Sequence, residues 1–200
     1  MRTKLIQAII DQIGAKSYLE IGTQYGYNFM DIQCEKKVGV DPGDYDFEYV
    51  NLTSDDYFSE CEDVFDVIFI DGLHHADQVL KDFENALMHI SPKGVIILHD
   101  CKPTNKAMQE IPETHLPGWT GNVWRAYLNI RRFKALTCMC VDVCTGLGVI
   151  QQKPSKNVLK IDYEDTLLMT YEEFEADKKK LLNLRTYKYF KNILKDFAKV

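Results

Sequence analysis

Apolar positions recur along the chain with two distinct periods. Leu5, Ile6, Ile9, Ile10 and Ile13 share one helical face, and Gly14 is placed to end that helix. Ser17–Ile21 then reads as a buried strand and residues 26–32 as a short helix. Residues 37–41 form a second strand closed by Pro42-Gly43, and residues 48–52 a weaker third. Residues 55–60 have room for one or two helical turns. Phe65–Ile70 is a continuous apolar run ending in Asp71-Gly72. Val79, Leu80, Phe83, Ala86, Leu87 and Ile90 mark an amphipathic helix, stopped by Ser91-Pro92-Lys93-Gly94. Residues 95–98 are the next strand, ending in His99-Asp100.

Continuous apolar strands joined by amphipathic helices predict a parallel sheet covered on both faces, with right-handed crossovers. Ligands of such sheets bind outside the carboxyl ends of the strands. Here those ends carry Glu20-Ile21-Gly22, Asp41, Asp71 and His99-Asp100. The second half differs. Residues 102–117 hold Pro103, Pro112, Pro117 and His115 and read as a loop over that edge. Residues 122–132 read as a helix. Residues 134–143 and 147–151 read as strands joined at Cys144-Thr145-Gly146, a connection short enough to demand an antiparallel pair. In the tail, Thr170-Tyr171-Glu172-Glu173 is a capping box, and Tyr189, Phe190, Ile193, Leu194 and Phe197 stripe a last helix. The expected fold is α/β: a Rossmann-like, doubly wound, mostly parallel sheet with an antiparallel C-terminal strand pair and C-terminal helices. Residues 1–152 are expected to form the ligand-binding domain, and residues 153–200 a helical extension packed on it.

Composition narrows the function classes. The chain has 200 residues, 46% hydrophobic and 27% charged, which are globular values. A net charge of −6 argues against a nucleic-acid binder that works through phosphate contacts. No apolar run is long enough to cross a membrane. The basic start at Met1-Arg2-Thr3-Lys4 is followed by no uninterrupted apolar core, so a cytoplasmic protein with six reduced cysteines is expected. Cys138, Cys140 and Cys144 lack a zinc spacing and read as small side chains around a strand and its turn.

The candidate chemistry lies at the strand ends. The turn from Glu20 to Gly26 follows a strand and opens a helix, and its glycines let a ligand approach the backbone closely. Gln24 takes the place a dinucleotide site gives to glycine, and Glu20 adds a carboxylate that suits an ammonium group. Asp41 ends the next strand, where a carboxylate accepts ribose hydroxyls. Asp71, His74, His75, His99 and Asp100 come from neighbouring strand ends and are candidates to hold a divalent ion, with His74 placed to take a hydroxyl proton. Trp119 and Arg125 are candidates for substrate contact, and Lys102, Arg131 and Arg132 for a positive rim. Trp124 falls in the helical pattern and is expected in the core. His75 and Asp77 are expected to cap the helix that follows them, and His89 to sit at its surface end.

Glu20-Ile21-Gly22 with Gly26, then Val38-Gly39-Val40-Asp41, then the run from Phe65 through Asp71-Gly72-Leu73-His74, then Gly94 through His99-Asp100, resemble a class I S-adenosylmethionine-dependent methyltransferase. The likeness covers roughly residues 15–150 and is nearest to the macrolide-sugar O-methyltransferases and cephalosporin-hydroxylase-like proteins. It implies Glu20 and Gly22 near the methionine end of the cofactor, Asp41 on the ribose, Ser54 and Asp55 near adenine, and Gly26 and Asp71 as further cofactor-binding residues. It implies His74 as base, assisted by Asp71, with Asp71 and Asp100 as ligands of Mg²⁺ or Mn²⁺. His99 falls where those enzymes carry a glutamate ligand; an imidazole there favours Mn²⁺, Fe²⁺ or Zn²⁺ over Mg²⁺, and the other options are that His99 leaves the metal shell or that the site binds no metal. The implied activity is methylation of a hydroxyl on a small molecule such as a sugar or glycan precursor, with a homo-oligomer as one option. Three alternatives stand beside it: an NAD-linked oxidoreductase on a similar sheet, a non-catalytic cofactor-binding partner protein, and oxidative chemistry of the kind hydroxylase-like proteins run on this scaffold.

Overall fold

The stripe from Leu5 to Ile13 forms α1 (Arg2–Ile13), which Gly14 ends in the left-handed conformation at φ 69°. The computed structural model describes residues 1–113 and 117–197, so His115 lies outside the described residues. Parallel strands β1 (Ser17–Ile21), β2 (Lys36–Val40), β3 (Phe65–Ile70) and β4 (Ile90–Leu98) form one side of the sheet. β5 (Thr137–Val141) and β6 (Leu147–Gln151) pair antiparallel, with β6 against β4. Among the described residues the sheet has seven strands, in the order β2-β1-β3-β4-β6-β5-β7, where β7 (Leu184–Arg185) runs parallel to β5. This is the α/β Rossmann-like arrangement expected, with its antiparallel pair and C-terminal helices.

Alternation along β3 and β4 divides the core. Val67, Phe69, Val95 and Ile97 face α1, Phe29 of α2 (Tyr27–Asp31) and Phe190 of α8 (Tyr187–Ile193). Ile68, Ile70, Ile96 and Leu98 face α4 (Ala76–His89), α5 (Val123–Ile130) and Phe174 of α7 (Tyr171–Leu181). Each such buried side chain contributes about 2 kcal/mol of transfer free energy. Two short helices, α3 (Ser54–Glu60) and α6 (Tyr163–Leu168), complete the set.

Three expectations need correction. Residues 48–52 form no strand and touch the sheet only through a bridge from Val50 to Val40. Asn51 and Leu52 are exposed, so the segment lacks the buried face that would hold it in register. Ser91-Pro92-Lys93-Gly94 does not separate α4 from the next strand, because β4 starts at Ile90. The ladder to β3 skips from Ile90 to Val95, which leaves Pro92 free of a pairing it cannot make. The strand expected over residues 134–143 is shorter, Thr137–Val141. All six cysteines are free; Cys101, Cys138 and Cys140 are buried and Cys144 is exposed in its turn. Among the described residues no helix is long and apolar enough to cross a membrane.

Candidate active site

Strand register builds the site. Ile21 pairs with Val40 on one side and Ile70 on the other, and Ile70 pairs with Leu98. The next residues, Asp41, Gly22, Asp71 and His99, therefore stand side by side along the carboxyl edge. Backbone hydrogen bonds hold that line: Gly22 N donates to Val40 O at 2.8 Å, Asp71 N to Ile21 O at 2.8 Å and His99 N to Ile70 O at 3.0 Å. A cleft of about 580 Å³ opens over it, within the range of small-molecule sites.

One end of the cleft is a backbone cradle. Gly22 has φ 84°, and a Cβ there would lie 2.1 Å from the carbonyl oxygen of Asp71. Gln24 also takes a positive φ, 46°, and its N–H donates to Asp41 Oδ2 at 2.8 Å. Gly43 N donates to Asp41 Oδ1 at 2.8 Å, so two amides fix the Asp41 carboxylate while it still lines the cleft. Tyr25, Tyr27 and Tyr45 line the same end, the Tyr25 and Tyr45 rings 5.4 Å apart.

Other expected cofactor residues stand back from it. Gly26 packs against the Phe47 ring. Ser54 and Asp55 do not line the cleft; both accept from Gln78, and Asp55 pairs with Lys81 at 2.5 Å. Glu20 is 1% exposed and turned inward, accepting from Tyr18 Oη at 2.5 Å and Asn28 Nδ2 at 2.9 Å. Burial pushes its carboxyl up to about 7, against those two hydrogen bonds. The folded protein thus keeps a proton that an unfolded chain, titrating near 4.5, has released. Stability from this group is full below pH 4.5 and falls as pH rises to about 7, by about 3 kcal/mol in all. Glu20→Gln is expected to flatten that part of a chemical-denaturation pH profile; an unchanged slope would refute the assignment.

The other end concentrates charge. His74 Nε2 lies 3.3 Å from Asp71 Oδ1 and 3.2 Å from Asp100 Oδ2, and His74 Nδ1 faces the Trp119 carbonyl at 3.2 Å. His99 Nδ1 lies 3.0 Å from Asp71 Oδ1 and 3.1 Å from Asp100 Oδ2. Arg2, at the start of α1, donates to Asp71 Oδ2 at 2.6 Å. Thr145 Oγ1 donates to Asp100 Oδ1. Burial lowers the pKa of His74, but the Asp71 hydrogen bond and the Asp100 charge outweigh it and hold the ring above its ordinary value. His99 is raised further, burial again opposing and Asp71 prevailing. Burial raises Asp71, but His99, His74 and Arg2 bring it well below the usual carboxylate range.

The loop before α5 is latched to the His74 turn. His74 O lies 1.9 Å from where a Gly121 Cβ would stand, and it accepts from Asn122 N at 3.1 Å. Asn122 Oδ1 in turn accepts from Ala76 N at 2.6 Å, so Asn122 serves the first turn of α4 where His75 offers no side-chain cap. This brings the Trp119 ring over His74 with centroids 5.2 Å apart.

Arg125 does not line the cleft: its guanidinium donates to the carbonyls of Thr166, Leu167 and Met169, at 2.6, 2.9 and 2.7 Å, and ends α6. Arg131 is buried and donates to Lys180 O, Leu181 O and Asn157 O, so it belongs to no positive rim. Arg132 donates to Ile161 O and Lys102 pairs with Asp142. Trp124 is fully buried against Phe174. His89 is part-exposed at the end of α4, bonded to Asp63 O.

Two groups fit differently. The donor set suits S-adenosylmethionine, since Asp41 presents a fixed carboxylate to the cleft beside the bare backbone of Gly22. A divalent ion fits less well. Ligand atoms of Asp71, His74 and Asp100 lie within 4.8 Å of one another, which is a usable spacing. All four oxygens of the two carboxylates, however, already face Arg2, His74, His99 or Thr145.

The sequence reading missed Arg2, Tyr25, Tyr27, Tyr45 and Glu113 as cleft residues. Arg2 had a signal: it stands three and four positions before Leu5 and Ile6, on the buried face of α1.

A family model described as "Methyltransferase domain" matches residues 42–101, which include the stretch from Asp71 to Asp100. No curated protein matches the chain. Among solved structures, the O-methyltransferase from Bacillus cereus in complex with SAH superposes with a TM-score of 0.58 at 20% identity, covering 76% of this chain and 80% of that one. The O-methyltransferase TomG from Streptomyces achromogenes, involved in tomaymycin synthesis and solved with SAM, gives 0.57 at 17% identity, covering 76% and 79%. An SAH-bound methyltransferase from Podospora anserina gives 0.57 at 15%, covering 76% and 78%. The fold is therefore that of the class I methyltransferases. None of these three is named for a macrolide sugar or a cephalosporin, so the narrower branch gains nothing from them.

Proposed function

We propose that the protein is an S-adenosylmethionine-dependent O-methyltransferase that methylates a hydroxyl of a small molecule, with sugars or glycan precursors as the first acceptors to screen. In this reading residues 1–152 carry binding and chemistry, and residues 153–200 are an extension packed on them. The observation that carries it is the row Asp41, Gly22, Asp71, His99: one cleft holds a carboxylate suited to ribose, a glycine cradle and a histidine set between two aspartates.

S-adenosylmethionine, when bound, supplies an electrophilic methyl on a sulfonium sulfur that departs as a neutral thioether. Asp41 would orient its ribose, with the bare backbone of Gly22 lining the cleft beside it. His74 receives the proton of the acceptor hydroxyl at a ring nitrogen, and Asp71 and Asp100 steady the resulting imidazolium. Alignment of the acceptor oxygen is the main catalytic task, and Trp119, stacked on His74, forms one wall for it.

Calorimetry with S-adenosylhomocysteine tests the reading. One binding site per chain is expected, with Asp41→Ala weakening it at least about tenfold. A wild-type chain that ignores S-adenosylhomocysteine and binds NAD would move the assignment to an oxidoreductase. Binding with no methyl transfer to any hydroxyl acceptor would move it to a non-catalytic binding protein.

A further inference from the structure

Asp71 stands at the centre of the charged end of the cleft, and its outer oxygen belongs to Arg2. The guanidinium donates to Asp71 Oδ2 at 2.6 Å, and its carbon lies 6.0 Å from the centre of the Phe69 ring. The side chain is 34% exposed, so one flank stays open to the cleft that it lines. Its position is set by the fold. α1 packs its Leu5, Ile6 and Ile9 face on the sheet, which delivers the first residue of the helix to the carboxyl end of β3.

A divalent ion held by Asp71 Oδ1, His74 and Asp100 would share the Asp71 carboxylate with that guanidinium. It would lie beside the positive guanidinium and the His99 ring, and like charge beside it disfavours a second cation. A guanidinium supplies what such an ion supplies to an acceptor: fixed positive charge and directed donors for an oxygen that gains negative charge. Its planar fork leaves further N–H groups after Asp71 has taken one.

We propose that Arg2 is the resident cation of the cleft: its charge on Asp71 stands in for a divalent ion and disfavours one, and it presents its free N–H groups to the oxygen of the acceptor. The second half of this statement rests on the methyltransferase reading, and the first half does not. Asp71 is thereby an anchor for Arg2, and the reaction proceeds without added metal.

Binding of Mn²⁺, followed by the electron paramagnetic resonance signal of the free ion, tests this on the full chain with and without S-adenosylhomocysteine. Arg2→Ala is expected to bind Mn²⁺ at least about tenfold more tightly than the wild type. Arg2→Lys, which keeps the charge, is expected to stay near the wild type. Adding Asp71→Asn to Arg2→Ala should abolish the gain. Arg2→Gln serves if the alanine variant does not fold, as judged by its thermal melt. A wild type that binds Mn²⁺ as tightly as Arg2→Ala overturns the proposal, and so does a failure of both to bind. Absence of S-adenosylhomocysteine binding alone removes the methyltransferase reading, while the Mn²⁺ comparison still decides who holds Asp71.

Discussion

His74→Ala is expected to lower kcat at saturating acceptor by about 10²- to 10⁴-fold while S-adenosylhomocysteine affinity stays within a few-fold of wild type. Both ring nitrogens face acceptors in the resting site, Nε2 the two aspartates and Nδ1 the Trp119 carbonyl. That pattern favours the charged ring, in line with the raised pKa. A base must first be neutral, so the wild-type rate is expected to climb with pH through a midpoint above the ordinary histidine value of 6.5. The variant should lose that limb along with the rate. A lowered rate with the limb intact would make His74 a packing residue only, and full turnover would place the base elsewhere. A pH–rate profile on both proteins, read with labelled S-adenosylmethionine, decides between these outcomes.

Gly22→Ala is expected to cost about 4 kcal/mol or more, lowering Tm by roughly 10 °C, and to abolish S-adenosylhomocysteine binding. The added methyl carbon would stand 2.1 Å from Asp71 O, 2.4 Å from Asp71 C and 2.6 Å from Gly72 Cα, all of them backbone atoms. Nothing there yields by changing a rotamer. The φ of 84° adds a second penalty that any side chain meets. Relief would require the turn after β1 to lift from the end of β3, breaking the line from Asp41 to His99. Gly14→Ala is the control: its φ of 69° is also positive, but no atom lies within 4 Å of the new carbon. It should cost only about 1 kcal/mol and leave ligand binding intact. Comparable melting of the two variants would show that close approach at Gly22 is not what the fold requires.

The sheet was legible wherever one strand could be judged alone. Phe65–Ile70 is apolar on both faces and stops at an acid, so its strand character and its active end both follow from local pattern. Register was not legible: nothing in the sequence says that Val40, Ile21, Ile70 and Leu98 fall in one row. Long charged side chains misled most. Arg125 read as a substrate contact and Arg131 as part of a positive rim, yet they reach carbonyls 41 and 50 residues away in sequence. β7 has only two residues, too few to show a period. Asp71, His74, His99 and Asp100 do come together, while Ser54 and Asp55 are held outside the cleft by Gln78 and Lys81 and Arg125 by the carbonyls at the end of α6.

The latch of Gly121 and Asn122 onto the His74 backbone makes the wall at Trp119 and the imidazole a single mechanical part. Residues before Trp119, such as Glu113, line the cleft without joining that latch. On the proposed reading, change in what the enzyme accepts is then free to accumulate around Glu113, while the geometry at His74 is inherited unaltered. A library randomised at Glu113 should shift acceptor preference and leave the pH–rate midpoint in place, so that selectivity and chemistry diverge on separate clocks.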